Sequence, residues 1–377
     1  MPQEKLDWAR VMAWRVAQHH LDERVSKRRA QDLVGEIGGL HAQLMSSAEL
    51  ALWARVDKLK RTDVEKWLWS DRRLVKTWAM RGTLHVLRSD EYPLWQAGLS
   101  TYEHYLKPAW FKAFGVTRSE LETIIDAISR SLNGKTLTRD ELAASVAKLA
   151  KSEALAEKLR GSWGAMLKPA SFQGRLCFGP NKGRNVSFAR PDQWLELDAS
   201  DQVDPAEALE DITRRFLSAY GPATREDLAR WWSVSPAAGG RLISGLGEEV
   251  TPVNLEGAEY WALTDTVSAL AEASPTKSVR LLPGFDPYII GSTRHATKLM
   301  TGDFKARVHR PQGWVSPVLL VDGRIDGVWR HERKGKRVVV DIEPFAAVPK
   351  WVAREAEKEA DSLAAFLGGS LELAWAR

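Results

Sequence analysis

Two side chains near the start of the chain combine residue types that suit hydrolysis. His41 and Gln43 stand two residues apart, directly after the pair Gly38-Gly39. A neutral histidine accepts a proton near neutral pH, because its reference pKa is about 6.5, and the carboxamide oxygen of a glutamine can orient a water molecule. On an extended segment this spacing places both side chains on one side, whereas on a helix they diverge. The residues alone leave a second interpretation open, in which both side chains satisfy backbone groups in a loop after a glycine-terminated helix.

A second group of polar side chains lies in the stretch MRGTLH, which is typical of the start of a short β-strand. Alternate residues of a strand point to one face, so Arg81, Thr83 and His85 would share a side. As a binding site, this face would use Arg81 for a phosphate and His85 to line a ligand channel. The structural alternative pairs Arg81 with a carboxylate on a flanking helix and makes His85 a hydrogen-bonded core residue.

Positive charge is concentrated between Lys158 and Pro191, where seven residues are basic and none is acidic. Two β-type runs in this stretch are separated by a Gly/Pro/Asn turn, which predicts a hairpin. Its polar side chains suit contact with phosphates or a minor groove, and they would make binding depend on salt. The alternative is solvated surface charge. The binding residues predicted on the hairpin are Arg175, Asn181, Lys182 and Arg184.

Several classes of protein are disfavoured by what the sequence lacks. Its 377 residues include a single cysteine, Cys177, so an internal disulfide is impossible, and the histidines do not have the spacing of zinc ligands. No acidic cluster suits another cation, so we expect no metal and no cofactor. Neither a signal peptide nor an apolar run of eighteen residues is present. These features favour a cytoplasmic protein.

Helical periodicity dominates the first eighty residues. Apolar positions recur at helical spacing over residues 8–21 and 28–40, and Ser46-Ser47 predicts the N-terminal cap of a further helix. The stretch 64–78 also has the helical pattern, and it leads into the short β-type run at 80–87. Helices followed by a strand at their edge are typical of a winged helix.

The same order of helices and a hairpin recurs twice more. Thr117 and Thr138 predict helix caps before the hairpin at 174–190, and Thr224 predicts a cap before the hairpin at 251–263. The sequence therefore predicts three helix-helix-hairpin units, although their sequences are too different to be a strict repeat.

The last hundred residues have a different texture. From Val279 onward, β-type runs alternate with glycine turns, which predicts an antiparallel sheet or barrel, and the chain closes with a helix stopped by Gly368-Gly369. The expected fold class is α+β, with three tandem winged-helix units and a C-terminal antiparallel β-barrel-like subdomain. The predicted segments are 1–110, a first winged helix with the 41–43 loop; 111–200, a second with the basic hairpin; 201–275, a third; and 276–377, the barrel-like subdomain and final helix.

Three further features are assigned mainly to structure. Asp286 precedes Pro287 and is therefore biased to an extended backbone, which favours a structural role in a turn, with a carboxylate that reaches the ligand channel as the alternative. The chain has seventeen tryptophans, but pairs such as RWW fall in helical runs, where core packing is the usual role. The basic stretch 330–337 is expected at a hairpin tip, where exposed charge is ordinary, and direct contact with nucleic acid is the alternative.

Five stretches, in this order and at this spacing, resemble the winged-helix DNA glycosylases of the AlkZ/YcaQ type over nearly the whole chain. They are GLHAQLMSSAELALWAR (39–55), WAMRGTLHVL (78–87), YGPATREDLARWW (220–232), LLPGFDPYIIG (281–291) and VDGRIDGVWR (321–330). The resemblance implies a tandem of three winged helices that form a concave channel for duplex DNA, with a β-barrel beside it.

The resemblance also implies a catalytic motif. The family has Gln-hydrophobic-Gln or Gln-hydrophobic-Asp, which maps onto His41-Ala42-Gln43, with histidine in the first place. The expected activity is removal of N7-alkylated purines, whose leaving base is already positively charged and needs little acid catalysis. Gln43 would then orient the water and His41 would accept a proton, since positioning and electrostatics suffice.

The expected partner is duplex DNA that contains alkylated bases, bound by a nucleoid-associated monomer with no obligatory protein partner and no membrane. The main alternative is a DNA-binding regulator without enzymatic activity, because winged helices occur more often in transcription factors and a fold does not imply a function. A metal-dependent nuclease is a weaker alternative, since ligands for a cation are missing from the sequence pattern.

Overall fold

The computed structural model describes residues 6–162 and 164–376. Helices and largely antiparallel sheets both occur, so the predicted α+β class is confirmed. The α-helices of these residues are α1 Trp8–Gln18, α2 Ala30–Glu36, α3 Met45–Trp53, α4 Arg61–Trp69, α5 Tyr92–Ser100, α6 Pro108–Phe114, α7 Arg118–Ser131, α8 Arg139–Ala150, α9 Glu153–Gly161, α10 Lys168–Phe172, α11 Pro191–Trp194, α12 Pro205–Tyr220, α13 Arg225–Trp232, α14 Pro236–Gly245, α15 Val267–Glu272, α16 Pro287–Gly291, α17 Lys305–Val308 and α18 Lys350–Phe366.

The strands are short, except in the C-terminal sheet. They are β1 Leu40–His41, β2 Leu74–Trp78, β3 Leu84–Arg88, β4 Leu137–Thr138, β5 Cys177–Lys182, β6 Asn185–Ala189, β7 Val250–Leu255, β8 Ala258–Leu263, β9 Val279–Leu282, β10 Val318–Val321, β11 Arg324–Lys334, β12 Arg337–Pro344 and β13 Ser370–Trp375.

The chain forms two compact units. One is continuous, Glu65–Ile212, and the other combines the residues up to Val64 with those from Thr213 onward. The four segments predicted from the sequence concern supersecondary units, which this division does not test, and they stay a prediction.

In the continuous unit, β2 and β3 form a hairpin, and β4, β6 and β5 form a sheet in that order. Its core is aromatic: the rings of Trp78, Phe178 and Phe188 lie 4.8 to 6.2 Å apart. The sequence predicted the β5–β6 hairpin at the right place, because its turn residues are a local signal.

The three threonine caps also lie where the sequence predicts them. Thr117, Thr138 and Thr224 begin α7, α8 and α13 through capping boxes, in which each threonine hydroxyl accepts from a backbone N–H three residues on. In return, the carboxylate of that later residue accepts from the threonine N–H.

The predicted cap at Ser46-Ser47 is wrong. Helix α3 begins at Met45, with the extended Leu44 at its N-cap and no side-chain cap bond. Both serines lie in the first turn, and the Ser47 N–H donates to the Leu44 carbonyl at 3.0 Å. A cap contributes only about 1 kcal/mol, so packing of the buried face decides where this helix starts.

The helix predicted over 64–78 is also wrong in its second half. Helix α4 ends at Trp69, and Leu74–Trp78 is strand β2, paired antiparallel with β3. Four of its five residues are buried, and the pattern includes the β-branched Val75 and Thr77. Pairing with a neighbouring strand overrides the local helical periodicity here.

The sequence predicts a purely antiparallel C-terminal sheet, and this prediction is wrong for one pair of strands. Its order is β13-β12-β11-β10-β9, and every neighbouring pair is antiparallel except β12 and β13, which run parallel. A parallel pair needs a crossover connection, and the 17-residue helix α18 supplies it. Strand β13 itself was missed. The predicted barrel-like closure is not confirmed.

Candidate active site

The loop that carries His41 and Gln43 connects two helices. Helix α2 is followed by Gly38 and Gly39, whose φ values of 71° and 90° lie in the region that favours glycine. The Gly39 N–H donates to the Val34 carbonyl at 2.8 Å, which closes the end of the helix. The chain then makes the two-residue strand β1 and enters α3 at Met45. The two glycines thus turn the chain sharply between α2 and β1, and this turn fixes the position of His41.

The two candidate catalytic side chains differ in exposure. His41 is 7% exposed, whereas Gln43 is exposed, and Ala42 between them is fully buried. The strand ends at His41 and the chain bends before α3, so the equal exposure expected of an extended 41–43 segment is not found. A small residue at position 42 suits its buried place. His41 is therefore fixed within the protein, and Gln43 faces solvent.

A second loop supports His41 from the opposite side. The Phe285 ring stacks on the His41 imidazole, with ring centroids 5.0 Å apart and an interplanar angle of 16°. Phe285 has a φ of 62°, which costs a residue with a Cβ roughly 1–2 kcal/mol. Strained backbone of this kind persists only where the surrounding contacts hold it, and it is frequent at functional sites.

Those contacts are centred on Asp286. Both of its carboxylate oxygens accept hydrogen bonds at 2.8 Å from the Arg55 guanidinium, and neither side chain is exposed. Arg55 also donates to the carbonyls of His19 and Ala51, and Asp286 accepts from the Tyr288 N–H. The structural role predicted for Asp286 is therefore confirmed: this buried pair locks the loop that carries Phe285.

Gly284 allows the loop to approach its neighbour. A Cβ at this position would lie 2.7 Å from the Val315 carbonyl oxygen, which is closer than real Cβ contacts. The family-like stretch PGFDP thus has a physical reason at each place: Gly284 for close approach, Phe285 for the stack on His41, and Asp286 for the lock on Arg55.

An open cavity of about 260 Å³ lies beside these loops. It is lined by Leu44 and the serines at the start of α3, by Phe285, and by Trp314 with its neighbours. Arg310 and His331 also line it, and none of the described lining residues is acidic. Burial lowers the pKa of His331. The lining is thus mostly apolar, with serines, His331 and the cationic Arg310, and it begins with Leu44, one residue after Gln43.

The continuous unit holds the second predicted group. Arg81 lies in a 3-10 turn, and strand β3 starts only at Leu84, so Arg81 and Thr83 are outside the strand. The predicted alternation along one strand face is wrong, because the turn bends the chain at Gly82. Arg81 and His85 nevertheless meet: Nη2 of Arg81 donates to Nε2 of His85 over 3.5 Å, and Nδ1 of His85 donates to the Thr83 carbonyl at 3.1 Å.

His85 is only 2% exposed. Its imidazole therefore does not face solvent, and its hydrogen bond with Arg81 helps to orient that side chain. Thr83 donates its hydroxyl to the Met80 carbonyl at 3.0 Å, which stabilises the turn. Lys168 was not proposed from the sequence, yet its ammonium would lie 3.6 Å from a Cβ at Gly82. Burial lowers the pKa of Lys168, and burial together with Lys168 and another lysine lowers that of His104. Lys168 therefore lies beside the turn that carries Arg81.

The tip of the β5–β6 hairpin is exposed, as predicted. Asn181, Lys182 and Arg184 lie in solvent, and so does Arg175 just before β5. The Lys182 ammonium, however, is 2.9 Å from a carboxylate oxygen of Glu141 on α8. The local sequence has no acidic residue, but Glu141, 41 positions earlier in the chain, supplies a carboxylate partner for Lys182.

Comparison with known proteins identifies the fold. The model of a family described as DNA glycosylase AlkZ-like matches residues 34–366. An interstrand DNA cross-link repair glycosylase of Streptomyces sahachiroi is 35% identical over 369 residues, which are 97% of this chain and 98% of that protein. The chain belongs to the AlkZ-like DNA glycosylase family. The resemblance drawn from the five sequence stretches is thereby confirmed.

The solved structure of Streptomyces sahachiroi DNA glycosylase AlkZ agrees with this AlkZ-like chain with a TM-score of 0.88 at 34% sequence identity. The match covers 99% of this chain and 100% of that one. The likeness therefore extends to the whole fold and is not limited to one unit.

The basic run of this AlkZ-like chain is less positive than its sequence suggests. Lys168, Arg175 and Arg184 have no ion pair with a described residue. The other four basic residues have carboxylate partners: Lys158 with Glu120, Arg160 with Glu153 and Glu157, Lys182 with Glu141, and Arg190 with Asp192. The charge available for phosphates is thus confined to three side chains of the run.

Two other absences concern the described residues alone. They contain no group of three or more His, Cys, Asp or Glu side chains arranged to hold a metal ion. Their helices are all too short or too polar to span a bilayer.

Sequence reasoning missed Phe285 and Trp314. Trp314 follows the turn RPQG rather than a helical run, and a tryptophan in such a place is a usable signal of exposure. Phe285 offered no local signal, because its contact with His41 joins residues that are far apart in sequence.

Proposed function

We propose that this chain hydrolyses the N-glycosidic bond of N7-alkylated purines in duplex DNA, including bulky adducts and interstrand crosslinks. One observation carries the proposal: the motif His41-Ala42-Gln43 holds its histidine against Phe285 and presents Gln43 beside an acid-free cavity. A cross-link repair glycosylase that is 35% identical over almost the whole chain supports the substrate class.

The chemistry needs no strong acid. In an N7-alkylated purine the base is cationic, so when the bond from C1′ to N9 breaks, the electron pair passes to N9 and a neutral base leaves. The sugar becomes oxocarbenium-like, a water molecule adds to C1′, and its proton is released. Orientation of that water and electrostatic stabilisation of the sugar then supply the catalysis.

The proposal gives the two side chains different roles. Gln43 is exposed and is the residue that contacts the water, through its carboxamide oxygen. His41 is nearly buried in its aromatic stack, which keeps the imidazole in one orientation for accepting the proton.

DNA binding is proposed for the winged-helix elements. Helices α7, α8 and α9 with strand β4 and the β5–β6 hairpin follow each other in the order of a winged helix, and α12, α13, α14 with the β7–β8 hairpin repeat it. We assign Arg81 and the hairpin residues Arg175, Asn181, Lys182 and Arg184 to contacts with the DNA backbone. Thr83 and His85 are proposed to hold the turn that carries Arg81. The protein is proposed to act as a monomer on nucleoid DNA without a protein partner.

The test is release of the modified base. The full chain is incubated with duplex DNA that carries one N7-methylguanine, and the free base and heat-labile abasic sites are measured. Gln43→Ala is expected to reduce release by at least about 100-fold while DNA binding persists, and His41→Ala to slow it less. Gln202→Ala is the matched control, because Gln202 is exposed and lies outside the site.

Unchanged release by both site variants would remove the assignment of the catalytic pair. Intact DNA after incubation with the wild-type protein would favour the non-enzymatic regulator. Strand breaks that appear without heating would contradict a glycosylase that leaves the abasic site uncut.

A further inference from the structure

The cavity beside the catalytic loop has an unusual wall. Trp314 is 48% exposed and Leu44 is 41% exposed, and both line the same cavity. Large apolar side chains that are exposed together mark a binding surface more often than two scattered ones do. The rest of the lining is mostly apolar, with three serines, His331 and the cationic Arg310.

The exposure of Trp314 is built into a closed turn. Its carbonyl accepts from the Arg310 N–H at 2.8 Å, and its own N–H donates to the Pro311 carbonyl at 3.4 Å. Gln312 and Gly313 have φ values of 61° and 78°, which tighten the turn. The backbone is thus held on both sides of the ring, and the indole is presented rather than left at a frayed end.

The turn is connected to His41 by contacts between aromatic rings. The Trp314 and Phe285 centroids are 5.3 Å apart at an angle of 51°, and Phe285 in turn stacks on His41. His41, Phe285 and Trp314 therefore form a series of neighbouring rings, and Phe285 and Trp314 also line the cavity. A planar ring that stacks on Trp314 would lie next to the place where Gln43 faces its substrate.

We infer that this cavity binds a planar aromatic ring attached to N7 of the damaged purine, with the ring stacked on Trp314. The inference rests on the proposed glycosylase function and adds a preference for aromatic adducts. A volume of about 260 Å³ suits one small ring system, because pockets for drug-sized ligands are roughly 300–1,000 Å³. An acid-free lining with Arg310 also tolerates the phosphates next to the adduct.

Three duplexes of one sequence test the inference. They carry N7-methylguanine, N7-benzylguanine or N7-(cyclohexylmethyl)guanine, so that the first two differ by one phenyl ring and the last two by its planarity. The value of kcat/KM for base release is measured for each, after correction for spontaneous depurination. Wild type is expected to prefer the benzyl adduct to both others.

Trp314→Ala is expected to lower kcat/KM for the benzyl adduct by about 5- to 150-fold, the effect of losing one stacked aromatic ring. Release of N7-methylguanine should change less than about twofold, and Trp314→Phe should retain most of the preference. Phe114→Ala is the matched control, since Phe114 is an exposed aromatic residue that does not line the cavity.

If Trp314→Ala slows the methyl and benzyl adducts equally, the ring supports the DNA or the damaged base itself and the inference is overturned. An equal preference for the benzyl and cyclohexylmethyl adducts also overturns it, because apolar size and not stacking would then decide. The Gln43→Ala variant, which should release base very slowly but still bind DNA, allows the same test by binding. It should bind the benzyl duplex more tightly than the methyl duplex, and equal affinities would overturn the inference. Failure of wild type to release any of the three bases would instead reject the proposed function.

Discussion

The loop around Phe285 holds His41 through buried contacts, whereas the β5–β6 hairpin carries its polar side chains into solvent. In the first region the buried ion pair of Arg55 with Asp286 and the close approach at Gly284 fix the loop. The exposed Gln43 lies two residues after His41, which this loop supports. In the second, Arg175 and Arg184 are free to meet phosphates. The frame around His41 and the exposed charge of the hairpin therefore depend on different physical terms, and substitutions in the two regions should have different effects.

The largest effect is expected from breaking the buried pair. Asp286→Asn leaves the Arg55 charge without its counter-ion inside the protein, which typically costs about 3–5 kcal/mol of the free energy of unfolding. Urea denaturation measures the change. Asp341→Asn is the matched control, because its partner Arg330 is 83% exposed and such pairs contribute less than about 1 kcal/mol. Equal losses in the two variants would show that the loop is not held by this pair.

A smaller effect is expected at Gly284. Gly284→Ala places a Cβ 2.7 Å from the Val315 carbonyl, and the forced movement should cost about 1–3 kcal/mol and slow base release, since Phe285 shifts with the loop. Gly245→Ala, on the exposed last residue of α14 with open space around it, should leave both measurements unchanged or slightly raise stability. A Gly284→Ala protein as stable and active as wild type would mean that the two loops can separate freely.

The buried His19 should make the stability of the protein depend on pH. His19 is fully buried, and burial together with Arg55, Arg15 and His20 lowers its pKa well below the usual value. Between that lowered pKa and about 6.5 the unfolded chain binds more protons than the folded one, so the free energy of unfolding falls as the pH falls below 6.5. The contribution of His19 is fully present above that pH.

His19→Phe keeps an aromatic ring between Tyr220 and Tyr288, which contact His19 edge to face, and removes the titration. Between pH 7.5 and pH 5.5, wild type should lose up to about 1.4 kcal/mol more stability than this variant. Urea titrations at the two pH values give the difference. Identical losses would show that His19 is not the group that titrates.

The smallest effect is expected on the exposed side. Arg184→Ala should leave the free energy of unfolding nearly unchanged but reduce the slope of log affinity against log salt by about 1, because one phosphate contact is lost. Lys182→Ala should change the slope less, since Glu141 already offsets its charge. Arg160→Ala is the control, because Arg160 is paired with Glu153 and Glu157. A slope equal to that of wild type would exclude Arg184 from the DNA interface.

What the sequence could predict depended on the distance between the residues involved. The caps at Thr117, Thr138 and Thr224 and the β5–β6 turn use residues a few positions apart, and they were found. The periodicity of Leu74–Trp78 predicts a helix, but the segment is a strand. Its pairing with β3 determines this secondary structure, and local periodicity does not reveal the partner strand.

The candidate site shows the same limit. The motif at His41 and Gln43 was found through a resemblance of sequence, but its surroundings depend on contacts between distant positions. Phe285 and Trp314 reach the site through folding, and the pairing of Asp286 with Arg55 spans 231 residues. Local patterns contain no trace of such partners.

That separation of 231 residues between Arg55 and Asp286 has a consequence for synthesis of the protein. At about 5–20 residues per second, Arg55 leaves the ribosome roughly 10 to 50 s before its counter-ion exists. The continuous unit Glu65–Ile212 emerges entirely within this interval and can fold in it. The loop that carries His41 and Gln43 lacks its buried supports until Asp286 is made, so a nascent chain that stalls before Asp286 has the motif without the contacts that fix it.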